Sequence, residues 1–174
     1  MKKKIVILGS TGSIGKSLLK IVKKNIKNFE IVLLTANKNY KELLKQVKTF
    51  KVENVIITNL NSYNKFKKIN KNKKIKVYNN FKNLNKIIKS KVDYSMSAII
   101  GIDGLSPTMQ IIKYSKIIAI ANKESIICGW NLIKEKLDKH KTQFIPVDSE
   151  HFSIWYGLKN HQQKNIEKIY LTAS

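Results

Sequence analysis

The sequence predicts a doubly wound α/β protein, in which helices cover both faces of a mostly parallel β-sheet. Short apolar runs of strand length alternate with longer amphipathic segments along nearly all of the 174 residues. Because the crossover between two parallel strands must return the chain to the same end of the sheet, this alternation favours parallel pairing. A turn rich in glycine and serine, at residues 9–15, separates the first strand from the first helix, as is typical of this architecture.

The predicted elements alternate between strand and helix. The first strand is predicted at residues 5–8, after a lysine-rich leader. The first helix, at residues 14–24, is indicated by apolar residues at helical spacing, which are Ile14, Leu18, Leu19, Ile21 and Val22. Further strands are predicted at residues 31–35, 54–58, 74–78, 94–98, 117–121 and 142–147. The helices between them are predicted at residues 40–50, 62–68, 81–90, 105–114 and 125–139.

Composition narrows the class of protein. Hydrophobic residues make up 43% of the chain, and no apolar run approaches the roughly 20 residues that a membrane-spanning helix needs, so we expect no membrane partner. The single cysteine, Cys128, excludes a disulfide within the chain, and we expect it to lie in the core. No signal or transit peptide precedes the first strand, so the expected location is the cytoplasm.

Pro146 lies in an apolar run and should mark the end or the edge of a strand.

The net charge of +23 suggests a polyanionic partner, but the kind of basic residue argues against nucleic acid. All 34 basic residues are lysine, whereas specific nucleic-acid readers depend on arginine for bidentate base contacts. The lysines are spread among many Asn and Ile residues, a bias that we attribute to AT-rich coding. The densest stretch, residues 65–76, is therefore interpreted as solvated surface, and no nucleic-acid partner is expected.

The glycine turn is the first motif that predicts a function. Its glycines are Gly9, Gly12 and Gly15, one residue wider at the front than the dinucleotide fingerprint G-x-G-x-x-G. Glycine permits a tight turn and a close approach of the backbone to a pyrophosphate, which then rests on the amides of the helix N-terminus. A turn that merely begins a helix is the alternative, but the position between the first strand and the first helix favours nucleotide binding.

The residues after the second predicted strand indicate which dinucleotide binds. An NAD site places an acidic residue there to accept the ribose 2′-hydroxyl, whereas a 2′-phosphate needs positive or neutral donors. The sequence has Asn37, Lys38 and Asn39 at this point, and Glu30 and Glu42 lie too far from the strand end. We therefore predict NADP rather than NAD. The alternative is that Lys38 is an ordinary surface lysine.

Two further polar clusters follow predicted strands, where the carboxyl ends of a parallel sheet line a ligand crevice. The first, at residues 121–125, contains Asn122, Lys123 and Glu124. These side chains are expected to face cofactor or substrate. The alternative is the capped start of a helix.

The second cluster, at residues 146–151, contains Asp148, Ser149 and Glu150. Two carboxylates separated by one residue can converge on one hard cation such as Mg²⁺ or Mn²⁺. The alternative is that Asp148 caps a helix and Glu150 lies in its first turn. The metal interpretation requires that Gly12 and Asp148 share one cleft.

Together these residues resemble one enzyme family. The motifs are GSTGSIG at residues 9–15, TANKN at 35–39, SAIIGIDGLSPT at 97–108, IANKES at 120–125 and PVDSEH at 146–151. They look like those of the 1-deoxy-D-xylulose 5-phosphate reductoisomerase family, in the family's order and spread over nearly the whole chain. The resemblance implies a Rossmann-like NADPH-binding domain at residues 1–147, followed at residues 148–174 by the beginning of an α+β catalytic domain.

The resemblance also implies roles for individual residues. NADPH contacts are implied for Thr11, Gly12, Ser13, Ile14, Asn37, Lys38, Asn39, Asn122 and Glu124. Asp148 and Glu150 match two of the family's three carboxylate ligands for a divalent metal. Substrate contacts are implied for Lys123, Ser149, Glu150 and Ser174. The implied catalytic residues are Lys123, Asp148 and Glu150.

The implied activity is the metal-assisted rearrangement and NADPH-dependent reduction of a sugar phosphate, 1-deoxy-D-xylulose 5-phosphate, to 2-C-methyl-D-erythritol 4-phosphate in the non-mevalonate route to isoprenoids. Mg²⁺ or Mn²⁺ would polarise a carbonyl, and NADPH would reduce the rearranged aldehyde. Family members continue past the point where this chain stops. We therefore expect a fragment without turnover of its own, and a homodimer for the full-length enzyme.

Other functions remain open from the sequence. One is another NADP-dependent oxidoreductase that uses the glycine turn without a metal. A second is an inactive NADPH-binding fragment. A third is a noncatalytic protein that binds polyanions through its lysine-rich surface.

Overall fold

The structure, a computed structural model, describes residues 1–159 and 165–170. The strands are, in chain order, β1 (Lys3–Leu8), β2 (Phe29–Ala36), β3 (Asn54–Ile57), β4 (Lys76–Tyr78), β5 (Val92–Ser97), β6 (Ser115–Ile120) and β7 (Gln143–Pro146). The α-helices are α1 (Ser13–Lys24), α2 (Tyr40–Phe50), α3 (Leu60–Ile69), α4 (Leu84–Ile87), α5 (Leu105–Ile112), α6 (Lys123–His140) and α7 (Ser149–Leu158). Short 3-10 helices at Ile26–Asn28 and Ile102–Gly104 precede β2 and α5.

The seven strands form one parallel sheet, which confirms the predicted fold class. Their order is β4-β3-β2-β1-β5-β6-β7, so the chain builds outward from β1 on one side and then adds β5, β6 and β7 on the other. Ile7 of β1 lies opposite Leu34 of β2 and Met96 of β5. The direction of winding therefore reverses between β1 and β5. Parallel sheets open a ligand crevice at the carboxyl end of such a reversal.

Alternate residues of β1 face two separate hydrophobic cores. Ile5 and Ile7 pack in one core with apolar residues of α1, α2 and α3. Val6 and Leu8 pack on the opposite face with residues of α4, α5 and α6. This division follows from the period of two along a strand, and it explains why β1 is apolar on both faces. Each of these buried side chains stabilises the fold by about 1.5–3 kcal/mol.

Four helices begin with a side-chain cap directly after a strand. In each, a side-chain oxygen of the residue before the helix accepts a hydrogen bond from a backbone N–H three residues later. The caps and the residues that donate to them are Asn39 and Glu42 for α2, Asn59 and Ser62 for α3, Asn122 and Ser125 for α6, and Asp148 and His151 for α7. Each cap satisfies an amide that the first helical turn leaves unpaired. Because these helices start where strands end, polar side chains concentrate at the carboxyl end of the sheet.

The predicted boundaries of most elements lie within two residues of the observed ones, but the helix predicted at residues 81–90 is wrong. Only one turn, Leu84–Ile87, is helical there. The apolar spacing that suggested a helix reflects burial, since all four residues are buried: Phe81, Leu84, Ile87 and Ile88. The side chain of Asn80 accepts the amide of Lys82 at 3.0 Å, and the backbone at Ile88 is extended. The asparagine side chain thus replaces a helical hydrogen bond at the start of the segment, and the extended backbone at Ile88 ends the single turn.

The structure corrects the placement of Cys128 and confirms that of Pro146. Cys128 is exposed rather than in the core. The buried stripe of α6 runs every four residues along another face: Ser125, Gly129, Ile133 and Leu137. Pro146 ends β7, which is an edge strand, so its missing amide removes no bond from a central strand.

The lysine-rich stretch at residues 65–76 covers the end of α3 and the loop that leads into β4. Its lysines are exposed, which confirms the interpretation of this stretch as solvated surface. Across residues 1–159 and 165–170, no helix combines the length and the apolar character needed to span a membrane.

Asp93 links three central strands at the amino end of the sheet. Its carboxylate accepts the backbone N–H of Lys4 in β1 at 2.8 Å and the ammonium of Lys116 in β6 at 2.7 Å. The hydrogen bond from Lys116, followed by the one from Lys4, holds the pKa of Asp93 below its ordinary value. The ionised carboxylate of Asp93 therefore stabilises the folded state.

We predict that Asp93→Asn lowers the free energy of unfolding at neutral pH by at most about 1 kcal/mol, because Lys116 is exposed and solvent screens the pair. The pKa of Asp93 is lower in the folded than in the unfolded chain. Its contribution is therefore complete above the unfolded pKa and is lost as the pH falls through the folded pKa. Urea unfolding of wild type and variant should show a difference at neutral pH that disappears in acid. An equal difference at both pH values would contradict this assignment, and Asp138→Asn, in an exposed pair with Lys134, is the control.

Candidate functional site

A cleft lies at the carboxyl end of the sheet, where β1 and β5 are neighbours. It consists of two adjoining cavities of about 630 Å³ and about 210 Å³, and Gly12 and residues 98–100 line both. The larger cavity extends over β2 and β3 as far as Asn37 and Thr58. The smaller one extends toward β6 and β7 as far as Asp148. The cleft therefore occupies the crevice that the reversal of winding creates.

The glycine turn fits beside β5 because its glycines lack side chains. Gly9 has a φ of 78°, in the left-handed region that favours glycine, and a Cβ there would lie 2.5 Å from the carbonyl oxygen of Ala98. A Cβ on Gly15 would lie 2.5 Å from the carbonyl oxygen of Gly9 and 2.6 Å from Cα of Ser10. The amide of Gly12 donates to the carbonyl of Gly9 at 3.1 Å and closes the turn. Strand β1, the turn and α1 are thus packed backbone against backbone.

The start of α1 can bind an anion. Its N-cap is Gly12, which has no side chain to occupy the first amides, in contrast to the four capped helices. Thr11 lines the larger cavity, while Ser13 and Ile14 line the smaller one. The first amides of a helix carry a partial positive charge and favour phosphate groups. Because Gly12 borders both cavities, a pyrophosphate at this point would lie between them.

The segment predicted to select NADP borders the larger cavity. Asn37, Lys38 and Asn39 are exposed, and Asn37 lines the cavity. The side chain of Asn39 caps α2, and the carbonyl of Lys38 accepts the hydroxyl of Ser62 at 3.0 Å. The backbone of this segment is therefore fixed, whereas the side chain of Lys38 is exposed and its ammonium bonds to none of the described residues.

Asn122 holds the loop on the other side of the cleft. Its Nδ2 donates to the carbonyl oxygens of Ile99 and Gly101, the latter at 2.6 Å, and its Oδ1 accepts the amide of Ser125 at 2.7 Å. Asn122 lines the smaller cavity, and its side chain is buried, with both ends of its amide bonded within the protein. Lys123 and Glu124, the next two residues, are exposed and line the smaller cavity.

Asp148 is both a helix cap and a cleft residue. Its Oδ1 accepts the amide of His151 at 3.1 Å and lies 2.6 Å from Nδ1 of the same residue. Its Oδ2 is buried and has no hydrogen-bond partner among the residues that the structure describes. Burial opposes ionisation, but the hydrogen bonds from His151 outweigh it and hold the pKa of Asp148 below its ordinary value. Asp148 therefore lines the smaller cavity as an ionised carboxylate with one unpaired oxygen, and such a group suits a cation.

The remaining predicted residues of this cluster lie in or beyond α7. Ser149 and Glu150 form the exposed first turn of α7, as the helix-cap alternative expected. Within the described part of the chain, no group of three or more His, Cys, Asp or Glu residues is placed to hold a metal. The predicted substrate contact Ser174 lies outside the described residues.

The structure brings the glycine turn and the acidic cluster together. Gly12 and Asp148 line the same cavity of about 210 Å³, which confirms the expectation that they share a cleft. Lys123 and Glu124 complete this cavity between them. The chemistry available there is anion binding at a helix start beside cation binding at a carboxylate.

Thr58 and Asn59 line the cleft but were not singled out from the sequence. Four other lining residues belong to the motif at residues 97–108, for which the sequence implied no individual roles: Ala98, Ile99, Ile100 and Asp103. Most of them directly follow β3 or β5, so their position after a predicted strand was the available signal. Their contacts depend on the order of the strands, which the alternation of elements does not specify.

We predict that Gly15→Ala lowers the free energy of unfolding by about 2 kcal/mol, because overpacking against fixed backbone typically costs about 1–3 kcal/mol. The matched control is Gly157→Ala in α7, where a Cβ would meet nothing within 4 Å. There the better helix propensity of alanine should leave stability unchanged or raise it by up to about 1 kcal/mol. Urea unfolding checks both variants. A Gly15→Ala protein as stable as wild type would show that the turn is not tightly packed.

Two relatives illustrate the similarity of the sequence to known proteins. The 1-deoxy-D-xylulose 5-phosphate reductoisomerase of Pelagibacter ubique is 66% identical over 174 residues, which is 99% of this chain and 45% of the relative. That of Clostridium kluyveri is 39% identical over 99% of this chain and 46% of its own length. The chain thus spans about half the length of the curated relatives that it matches.

Solved structures show the same similarity in three dimensions. The reductoisomerase of Zymomonas mobilis, in complex with NADPH, has a TM-score of 0.79 and 32% identity, covering 87% of this chain and 40% of its own. A DOX-P reductoisomerase with fosmidomycin and magnesium has a TM-score of 0.83 and 27% identity, covering 95% of this chain and 44% of its own.

Family models match both parts of the sequence. The model for 1-deoxy-D-xylulose 5-phosphate reductoisomerase matches residues 5–129, and the model for the C-terminal domain of the same enzyme matches residues 144–174. The first match alone covers well over half of the chain. The chain belongs to the 1-deoxy-D-xylulose 5-phosphate reductoisomerase family.

Proposed function

We propose that this chain provides the NADPH-binding part, and two metal-binding carboxylates, of an enzyme that converts 1-deoxy-D-xylulose 5-phosphate to 2-C-methyl-D-erythritol 4-phosphate. The observation that carries the proposal is the cavity that Gly12 and Asp148 share. A hydride donor on the glycine turn and a metal at the carboxylate would then meet the same small substrate. An oxidoreductase that used no metal would have no need of an unpaired carboxylate oxygen beside its cofactor.

The cofactor of the proposal is NADPH. Its pyrophosphate would rest on the amides at the start of α1, with Thr11, Gly12, Ser13 and Ile14 around it. The 2′-phosphate of its adenosine would meet Asn37, Lys38 and Asn39, and the ammonium of Lys38 would supply the positive charge. The NADPH complex of the Zymomonas mobilis relative supports this choice.

The nicotinamide half of NADPH would reach the smaller cavity. Glu124 lines that cavity and is proposed to contact the cofactor. Asn122 is proposed to act there through the loop of Ile99 and Gly101 that its side chain holds.

The residues present fit a divalent metal, Mg²⁺ or Mn²⁺. Asp148 offers the buried, unpaired Oδ2, and Glu150 lies two residues further on at the start of α7. When bound, the metal would polarise a carbonyl of the substrate. Two carboxylates alone hold Mg²⁺ weakly, because this ion is reluctant to lose its waters. We therefore propose that the 174-residue polypeptide by itself does not turn over.

The substrate is a sugar phosphate in this proposal. Lys123 lines the smaller cavity between the glycine turn and Asp148, where its ammonium could hold a negatively charged oxygen of the substrate. Ser149 lies at the start of α7 beside Asp148 and would donate its hydroxyl, and Ser174 is a further proposed contact. Lys123, Asp148 and Glu150 are the proposed catalytic residues.

Three further expectations stay proposals. The boundary between the NADPH-binding and catalytic domains is proposed near residue 147, supported by the end of β7 at Pro146 and the start of α7 at Ser149. The full-length enzyme is proposed to be a homodimer. Its location is proposed to be the cytoplasm, for which the single cysteine, Cys128, is the support from composition.

We predict that the chain binds NADPH more tightly than NADH and that Lys38→Glu reverses this preference, with NADPH affinity falling about tenfold or more. The glutamate would repel the 2′-phosphate and could accept the 2′-hydroxyl of NADH. Titration of cofactor fluorescence measures all four affinities. Lys20→Glu makes the same charge change on the exposed face of α1 and should leave the preference intact. An unchanged preference in Lys38→Glu would remove Lys38 from the site, and wild type that bound no NADPH would refute the proposed function.

A further inference from the structure

Gln46 of α2 holds the glycine turn through a buried amide. Its side-chain oxygen accepts the hydroxyl of Ser10 at 2.7 Å, and its side-chain nitrogen donates to the carbonyl of Ser10 at 3.0 Å. Gln46 is 5% exposed and Ser10 is fully buried. The side chain of Gln46 therefore makes two hydrogen bonds to Ser10. It does so from α2, which begins 30 residues after Ser10 in the sequence.

Ser10 and its neighbour Gly9 are also hydrogen-bonded to Thr35, at the end of β2. The amide of Ser10 donates to the carbonyl of Thr35 at 2.9 Å, and the amide of Gly9 donates to the hydroxyl of Thr35 at 2.9 Å. Thr35 is also buried. The side chains of Ser10, Thr35 and Gln46 are thus buried and hydrogen-bonded to one another or to the backbone of the turn. These hydrogen bonds, as well as packing, specify the position of the turn.

The Asn37–Asn39 side of the cleft, in contrast, is held without Gln46. The carbonyl of Lys38 accepts the hydroxyl of Ser62, and the carbonyl of Ala36 accepts the amide of Thr58 at 3.1 Å. The cap at Asn39 fixes the start of α2. Loss of the Gln46 amide would thus loosen the glycine turn at Ser10, which would keep only its hydrogen bonds to Thr35, and would leave the neighbouring segment in place.

We infer that Gln46 is a positioning residue, which sets the glycine turn relative to residues 37–39 so that one NADPH molecule can engage both. This inference rests on the proposed function. Gln46 and Ser10 are not among the described residues that line the two cavities, so Gln46 acts on the cofactor through Ser10. Without the amide, the buried carbonyl of Ser10 loses its side-chain partner and the hydroxyl keeps only the carbonyl of Thr35, at 3.2 Å, so the turn shifts to recover the lost bonds. A dinucleotide that needs both sides in register then binds less tightly.

The test compares a ligand that spans the cleft with one that uses a single side. NADPH needs both the glycine turn and residues 37–39, whereas adenosine 2′-phosphate needs only residues 37–39. The variants are Gln46→Leu, which removes both hydrogen bonds, and Gln46→Glu, which keeps the shape and the acceptor but loses the donor and places a carboxylate beside that of Glu42. Gln110→Glu is the control, because Gln110 is an exposed glutamine on α5 outside the cleft. Affinities are measured by fluorescence or calorimetry well below each melting temperature.

We expect both Gln46 variants to bind NADPH about tenfold more weakly than wild type and adenosine 2′-phosphate within about twofold of it. Gln110→Glu should match wild type with both ligands, and Lys38→Glu should weaken both. Equal losses for the two ligands would mean that Gln46 only stabilises the fold, and NADPH affinity within about twofold of wild type would overturn the inference outright. If Gln46→Leu does not fold, Gln46→Glu decides. Wild type without NADPH affinity would refute the proposed function instead.

Discussion

The close approach of the glycine turn to the carboxyl end of β5 is the contact on which the rest of the cleft depends. A side chain on Gly9 would collide with the carbonyl of Ala98, and one on Gly15 would collide with Gly9 itself. Because these backbones lie side by side, the start of α1 and the loop after β5 form the two walls of one crevice. Burial of β1 on both faces keeps the strand that carries the turn at the centre of the sheet. The site is thus a consequence of where the sheet reverses its winding.

Polar side chains at this end of the sheet divide into those that build the cleft and those left for a ligand. Asn122 holds the loop after β5 through its Nδ2 and caps α6 through its Oδ1, and the amide of Gln46 holds Ser10 at two atoms. Asp148 does both, because one carboxylate oxygen caps α7 and the other is unpaired. The helix-cap and metal-ligand interpretations of Asp148 are therefore compatible, since the two oxygens of one carboxylate serve different purposes.

Much of the fold could be predicted from the sequence, because alternating apolar runs and amphipathic segments report directly on burial. The same signal failed at residues 81–90, where apolar spacing came from a buried irregular segment whose start is bonded to the side chain of Asn80. The glycine turn and the acidic cluster were visible because their residue types carry chemistry. Gln46 was not, since an amide in a helix has no distinctive sequence signal until the fold places Ser10 beside it. Strand order, which decides such neighbours, is set by tertiary packing.

The central claim is that a dinucleotide on the glycine turn and a metal at Asp148 occupy one cleft. The most direct measurement is ³¹P NMR of NADP⁺ bound to the protein during titration with paramagnetic Mn²⁺. We expect Mn²⁺ to broaden the pyrophosphate resonances of the bound cofactor in wild type, and this broadening to be lost in Asp148→Asn. Equal broadening in both proteins, or none in wild type at saturating Mn²⁺, would contradict a shared cleft.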